Sequence, residues 1–157
     1  MITTGRPSAT RFFSGIPKYL SVQPGESHSG SLSLGTRARR ILIIDDEAPI
    51  ADSLAEILTS SGYEALAFYR GQDAIDSARK QCPNIVLSDV VMPKLNGVDT
   101  VLAIHEFCPQ ARILLFSGQA GTTNILQRAR ASGHQFELLP KPLHPDELLK
   151  RLSAGQK

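Results

Sequence analysis

Three carboxylates stand just after short apolar runs. Asp45 and Asp46 follow Ile41-Leu42-Ile43-Ile44, and Asp89 follows Ile85-Val86-Leu87 with one serine between. A further run, Ile113-Leu114-Leu115-Phe116, ends in Ser117-Gly118, and a last one, Leu138-Leu139, ends in Pro140-Lys141-Pro142. Taken singly, an Asp at a strand end is ordinarily a cap or turn residue, Ser117 could cap the next helix, and Lys141 could be a solvated charge. If the runs are neighbouring strands, the same residues put three acids, one hydroxyl and one ammonium on one edge. Carboxylates ~4 Å apart repel by about 4 kcal/mol per pair at an effective dielectric near 20. Lys141 offsets one charge, and a hard divalent ion with oxygen preference, Mg²⁺ above all, would offset the rest. Mg²⁺ held by a few carboxylates and waters also engages phosphoryl oxygens, which makes phosphoryl transfer the natural chemistry, with a carboxylate able to accept the group. The economical assignment uses the adjacent pair, Asp45 and Asp46, for metal and the isolated Asp89 as nucleophile.

The elements that must position these groups are legible from periodicity. Ile41 to Ile44 is a continuous apolar run, as expected of a strand buried on both faces. Pro49 suits a first helical turn, and Ile50, Leu54, Ile57 and Leu58 fall at i, i+4, i+7 and i+8, with Gly62 placed to end that helix. A weaker strand is expected at about 63–68 and helices at about 71–80, 97–107, 121–132 and 145–153. Strands alternating with helices predict an α/β fold, a doubly wound parallel sheet with helices on both faces. Chemistry in such sheets gathers outside the carboxyl ends of the strands, where the acids fall.

The chain has 157 residues, 41% hydrophobic and 20% charged, which suits one soluble domain, and no apolar run approaches the ~18 residues of a membrane span. Its formal charge of +2 hides a division. Residues 1–40 carry Arg6, Arg11, Lys18, Arg37, Arg39 and Arg40 against Glu26 alone, whereas the remainder is net acidic. Residues 1–39 are rich in Ser, Gly, Pro and Thr without sustained periodicity, and are expected to be a disordered basic extension to a domain at 40–157. They lack the apolar core of a secretory signal, and their Pro and Gly argue against the amphipathic helix of a transit peptide. Arg37, Arg39 and Arg40 could serve an arm for nucleic acid or an anionic surface, and a start codon placed too far upstream would leave a similar stretch. A passive extension is the favoured reading. The two cysteines, Cys82 and Cys108, cannot build a disulfide framework and are read as small buried hydrophobes in a reducing compartment.

The series ILIIDDE, LSDVVMPKLNG, LLFSG and LLPKP resembles the receiver domain of two-component response regulators, over about residues 40–153. The resemblance implies a five-stranded flavodoxin-like architecture. It implies Mg²⁺ at Asp45 and Asp46, one of them often through water, with Asp89 as phospho-acceptor and the backbone carbonyl of Val91 completing the ligands. Ser117 would hydrogen-bond the phosphoryl group, Gly118 would leave room for it, Lys141 would pair with it, and Pro142 falls at the family's cis-proline position. Met92-Pro93 and Gly97 match the loop of the family, where Pro fixes φ and Gly permits the turn. One departure stands out. Many receivers carry Tyr or Phe three residues before the Lys as a switch, and this chain has Leu138 there, with Phe136 two residues further back.

The expected function is therefore that of a stand-alone receiver in the cytoplasm. It would take a phosphoryl group from a sensor histidine kinase or phosphotransfer protein onto Asp89 with Mg²⁺. It would then signal by contact with a downstream protein, on the face of the fourth helix, fifth strand and fifth helix. It would not be an enzyme beyond its own phosphorylation and slow dephosphorylation. The chain ends soon after the last expected helix, leaving no room for a helix-turn-helix module, so direct DNA binding is not expected, and without a long apolar run neither is membrane insertion. The alternative is a pseudo-receiver, an interaction module independent of phosphorylation, although all four chemical positions are filled. A haloacid-dehalogenase-type phosphatase would need an acid at Val91, and a dinucleotide binder would need G-x-G-x-x-G after the first strand.

Overall fold

The structure, a computed structural model, describes residues 37–92, 96–118 and 122–155. Strands β1 (Arg40–Ile44), β2 (Glu64–Phe68), β3 (Ile85–Asp89), β4 (Arg112–Ser117) and β5 (Glu137–Pro140) alternate with helices α1 (Ala48–Ser60), α2 (Gly71–Lys80), α3 (Gly97–Phe107), α4 (Thr122–Ala131) and α5 (Pro145–Ala154). The strands form one sheet in the order β2-β1-β3-β4-β5, and every pairing is parallel. The expected α/β class and doubly wound topology are thus present.

Alternation along the strands divides the core between the two faces. Leu42 and Ile44 of β1 lie with Val86, Ile113 and Leu115 under Ala74, Ile75 and Ala78 of α2, Val98, Val101 and Ile104 of α3, and Ala129 of α4. Ile41 and Ile43 lie on the other face with Ile85, Leu87, Leu114 and Phe116, under Ala51, Leu54 and Leu58 of α1 and Leu148 and Leu152 of α5. Strands covered on both sides must be apolar at every position, which is why β1 and β3 read as continuous runs. Each fully buried Ile or Leu contributes roughly 1.5–3 kcal/mol. β2, at the sheet edge and less buried, gives the weaker signal.

Helix ends follow local chemistry. Pro49 lies in the first turn of α1, and Gly62, with φ of +92°, follows its end in the left-handed region. Asn96 caps α3 by accepting the Asp99 N–H at 2.8 Å. Arg40 belongs to the fold, since its guanidinium pairs with Glu64 at 2.8 Å and donates to Ser77 Oγ at 2.9 Å. That removes Arg40 from any flexible basic arm. Residues 1–36, on which most of the expected extension falls, lie outside the described residues.

The cysteines correct the sequence reading. Cys82, exposed after α2, and Cys108, buried at the end of α3, are joined as a disulfide with their Cα atoms 5.6 Å apart. α2 and α3 are neighbours on one face of the sheet, a tertiary proximity that the 26-residue separation does not reveal. Closing a loop of that length is worth about 3.5 kcal/mol on the chain-entropy account. Among the described residues, no helix is long and apolar enough to cross a membrane.

Candidate functional site

The strand order reverses direction between β1 and β3, and the helices that follow these strands leave to opposite faces, opening a crevice at their carboxyl ends. The register pairs Ile44 with Ser88, so the next residues, Asp45 and Asp89, meet at that crevice. Asp45 is tied to the sheet by its N–H, which donates to the Phe68 carbonyl at 3.0 Å. Lys141 is placed by the other side of the sheet, because its N–H donates to the Ser117 carbonyl at 3.0 Å and extends the β4–β5 pairing by one residue. The Lys141–Pro142 peptide bond is cis, at the position expected from the sequence.

Carboxylate oxygens of Asp45, Asp46 and Asp89 lie within 4.8 Å of one another. Lys141 Nζ donates to Asp89 Oδ2 at 3.0 Å and stands 3.9 Å from Asp45 Oδ2. The other Asp89 oxygen, Oδ1, accepts the Val91 N–H at 3.2 Å. Asp45 is fully buried, Asp89 is 5% exposed, and Asp46 is open to solvent. Asp45 Oδ1 accepts the Glu47 N–H at 2.9 Å, whereas Oδ2 is buried without a hydrogen-bond partner. Burial pushes the Asp45 carboxyl above its ordinary value, with Asp89 and Asp46 adding to the push, against the Glu47 N–H and the Lys141 ammonium that pull it down.

These features fit a small, hard divalent cation. An acceptor left unpartnered in a buried position is costly unless something electropositive reaches it. The donors are all oxygen, they come from three acids, and one ammonium does not balance them. Asp45, Asp46 and Asp89 would hold Mg²⁺ through carboxylate oxygens, with water completing the shell.

Of the residues singled out from sequence, Asp45, Asp46, Asp89 and Lys141 come together directly. Ser117 ends β4, the strand beside β3, is 6% exposed, and donates from Oγ to the Gly118 carbonyl at 2.7 Å. Val91 is 61% exposed beside Asp89. Among the described residues, a Cβ at Gly118 would meet nothing within 4 Å. Pro93 lies outside the described residues.

Gly97 has a different role from the one read in the sequence. It lies in the first turn of α3, and a Cβ there would collide with the Asp89 carbonyl and approach Ser88 Oγ at 2.9 Å. Its requirement is room for α3 against the acceptor strand. Sequence reasoning also missed Phe116, whose buried ring lies 5.1 Å beneath Lys141 Nζ and helps aim the ammonium. Its one signal was that it closes the β4 run, beside Ser117. Leu138 is 40% exposed and lines a cleft of about 310 Å³ with Ser117, Leu126, Arg130 and Pro140. Phe136 packs against the α2–α4 side of the core and is stacked on His134 with ring centroids 5.8 Å apart.

A five-stranded parallel sheet of this order with an acid cluster at its switch point defines a class of α/β signalling and binding domains, and comparison with known proteins narrows it. The sequence profile of the response regulator receiver domain matches residues 41–153, and the chain belongs to that family. It is 29% identical over 120 residues to the chemotaxis protein CheY of Thermotoga maritima, covering 76% of this chain and 98% of that one. It is 28% identical to the DNA-binding response regulator MtrA of Mycobacterium tuberculosis, covering 77% of this chain but only 52% of that protein. Among solved structures, the Vibrio cholerae chemotaxis protein CheY4 superposes with a TM-score of 0.66 at 28% identity, over 74% of this chain and 98% of that one. A CheY-like receiver domain protein from Methanospirillum hungatei gives 0.67 at 26% identity, over 74% and 92%.

Proposed function

We propose that the protein is a phospho-acceptor whose Asp89 takes a phosphoryl group from a phosphohistidine on a sensor histidine kinase or phosphotransfer protein. A carboxylate oxygen of Asp89 forms the new bond to phosphorus as the phosphorus–nitrogen bond breaks. The electron pair passes to the imidazole, which takes up a proton. Asp45, Asp46, Asp89 and the Val91 carbonyl would hold Mg²⁺, which would supply positive charge against the phosphoryl oxygens. Lys141 starts on Asp89 and is positioned to follow the new negative charge. The Ser117 hydroxyl, on the neighbouring strand, turns from the Gly118 carbonyl to donate to a phosphoryl oxygen. Later attack of water on phosphorus returns the carboxylate, so the chain is a slow self-limiting switch and not an enzyme with a turnover substrate.

Output by contact with a downstream protein is supported by the cleft that joins Ser117 to Leu138 and α4, since a change at the hydroxyl has a short path to that surface. A cytoplasmic place follows from the same reading.

The observation that carries the proposal is the placement of Asp89, 3.0 Å from Lys141 and within the acid cluster with its unpartnered Asp45 oxygen. Incubation with a small phosphodonor and Mg²⁺, followed by intact mass, tests it. One added phosphate is expected, lost on chelation and lost in Asp89→Asn. Phosphate that persists in Asp89→Asn assigns the acceptor elsewhere, and no uptake at all by the native chain leaves the pseudo-receiver reading.

A further inference from the structure

Each cysteine directly precedes a proline, Cys82-Pro83 and Cys108-Pro109, and each stands just beyond the last turn of one of two neighbouring helices. A residue before proline is biased away from the helical region, so both helices end where a cysteine stands, and the ends adjoin. The segment closed by the disulfide contains β3 with Asp89, the following loop and all of α3. The bond itself lies at the amino ends of β3 and β4, at the opposite end of the strands from the acid cluster. The two sulfurs differ in access: Cys82 is exposed, whereas Cys108 is 3% exposed. Each also lies near a carbonyl of the other helix, Cys82 Sγ 3.7 Å from Phe107 O and Cys108 Sγ 3.8 Å from Ala78 O. When the bond opens, both thiols therefore have an acceptor in reach, and the buried one is not left without a partner.

We propose that Cys82 and Cys108 are a reversible redox pair that exchanges with small-molecule disulfides of the glutathione class and, when oxidised, fastens the β3–α3 segment to the end of α2. In the forward direction the Cys82 thiolate attacks the small disulfide, forming a mixed disulfide and expelling one thiolate, which takes up the Cys82 proton. The Cys108 sulfur then gives up its proton, attacks Cys82 Sγ and expels the second small thiolate, which takes that proton. Two protein thiols and one small disulfide become one protein disulfide and two small thiols, with two electrons passing from the protein to the reagent. Reduction runs the same path backwards through the exposed sulfur. This pairing does not depend on phosphorylation of Asp89.

The test equilibrates the full chain in buffers from wholly reduced to wholly oxidised glutathione, then counts alkylatable thiols by intact mass and records melting. The count should fall from two to none across the series and recover on return, with the oxidised form melting higher by about 10 °C. Two thiols at the oxidised extreme, disulfide-linked dimers, or a bond that stays closed in reduced glutathione would each overturn the proposal, the last by showing a permanent staple. The single variants check the order of attack. Cys108→Ser should take one glutathione adduct readily at Cys82, and Cys82→Ser should take it at least tenfold more slowly at the buried Cys108. Equal rates would overturn the assignment of Cys82 as the entry point.

Discussion

Asp45 Oδ2 stands 3.9 Å from Lys141 Nζ, fully buried, and accepts no hydrogen bond among the described residues, while Lys141 gives its short contact to Asp89. The ammonium is thus shared unequally between two acids, and the buried one receives the weaker part. Its carboxyl is raised from the ordinary value of 3.8, mainly by burial. Between 3.8 and the raised folded value, the native state binds more protons than the unfolded chain, so stability falls as pH rises through that window. Above the window the whole cost of ionised Asp45 is present, and it is relieved as pH drops through the folded value. Asp45→Asn keeps an acceptor for the Glu47 N–H and removes the charge. Without divalent ions it should melt a few degrees higher than the parent near neutral pH, at about 4 °C per kcal/mol, with the gap closing on acidification. Added Mg²⁺ should raise the melting temperature of the parent and not that of the variant. A variant that melts lower than the parent at neutral pH would show that Asp45 is a net stabiliser as an anion.

The approach of α3 to the acceptor strand gives a second test. Gly97→Ala places a methyl group on the Asp89 carbonyl, whereas Gly118→Ala adds one that meets no atom of the described residues within 4 Å. Overpacking of backbone against backbone costs roughly 1–3 kcal/mol, and a change with no new contact stays within about 0.5 kcal/mol. Gly97→Ala should therefore lower the denaturation midpoint clearly and slow phosphorylation of Asp89. Gly118→Ala should leave the midpoint unchanged. Equal midpoints for the two variants would mean that α3 gives way freely.

The amino-terminal segment can be trimmed to separate its charge from the fold. Removing residues 1–36 should not change the melting temperature, because their composition offers little apolar surface to bury. Removal through Arg40 is different. It deletes the guanidinium that holds Glu64 and Ser77 and the Arg39 carbonyl that accepts the Glu64 N–H at 3.0 Å. A fall of at least about 4 °C is expected, since these contacts and a strand residue are worth 1 kcal/mol or more. Circular dichroism melts of the two truncations make the comparison, and a drop already present in the shorter one would place a structural role in residues 1–36.

The elements most open to sequence reading were those whose burial is symmetric. Ile41 to Ile44 and Ile85 to Leu87 are covered on both faces and announce themselves as runs, and a parallel sheet then sends every following polar residue to one edge. Asp45, Asp46, Asp89 and Lys141 follow from that rule alone. What stayed hidden depends on distances between helices. Nothing local tells that the ends of α2 and α3 adjoin and join Cys82 to Cys108. Nor does it tell that Gly97 touches the Asp89 carbonyl, or that the Phe116 ring lies under Lys141. The exposure of Leu138 was hidden for the related reason that β5 is an edge strand with a four-residue span.

That exposure bears on how a change at Asp89 would reach the surface. Leu138 is 40% exposed on the rim of the cleft it shares with Ser117 and Leu126. Full burial of a leucine is worth roughly 1.5–3 kcal/mol, so completing the burial of this one adds about 1 kcal/mol at most. Turning a 1:99 equilibrium into 99:1 takes about 5.5 kcal/mol, which leaves most of the bias to other groups. Ser117 is the better carrier, being buried, next to the acceptor strand, and bonded to Gly118 at the start of the segment that leads into α4. Leu138→Ala should therefore keep most of the phosphorylation-dependent change in amide exchange of α4 and shift its populations by less than about tenfold. Ser117→Ala should still accept phosphate on Asp89 but lose most of that change. Hydrogen-exchange mass spectrometry on phosphorylated and unphosphorylated forms of both variants decides between the two routes. Loss of the α4 response in Leu138→Ala, with retention in Ser117→Ala, would assign the coupling to the leucine side chain.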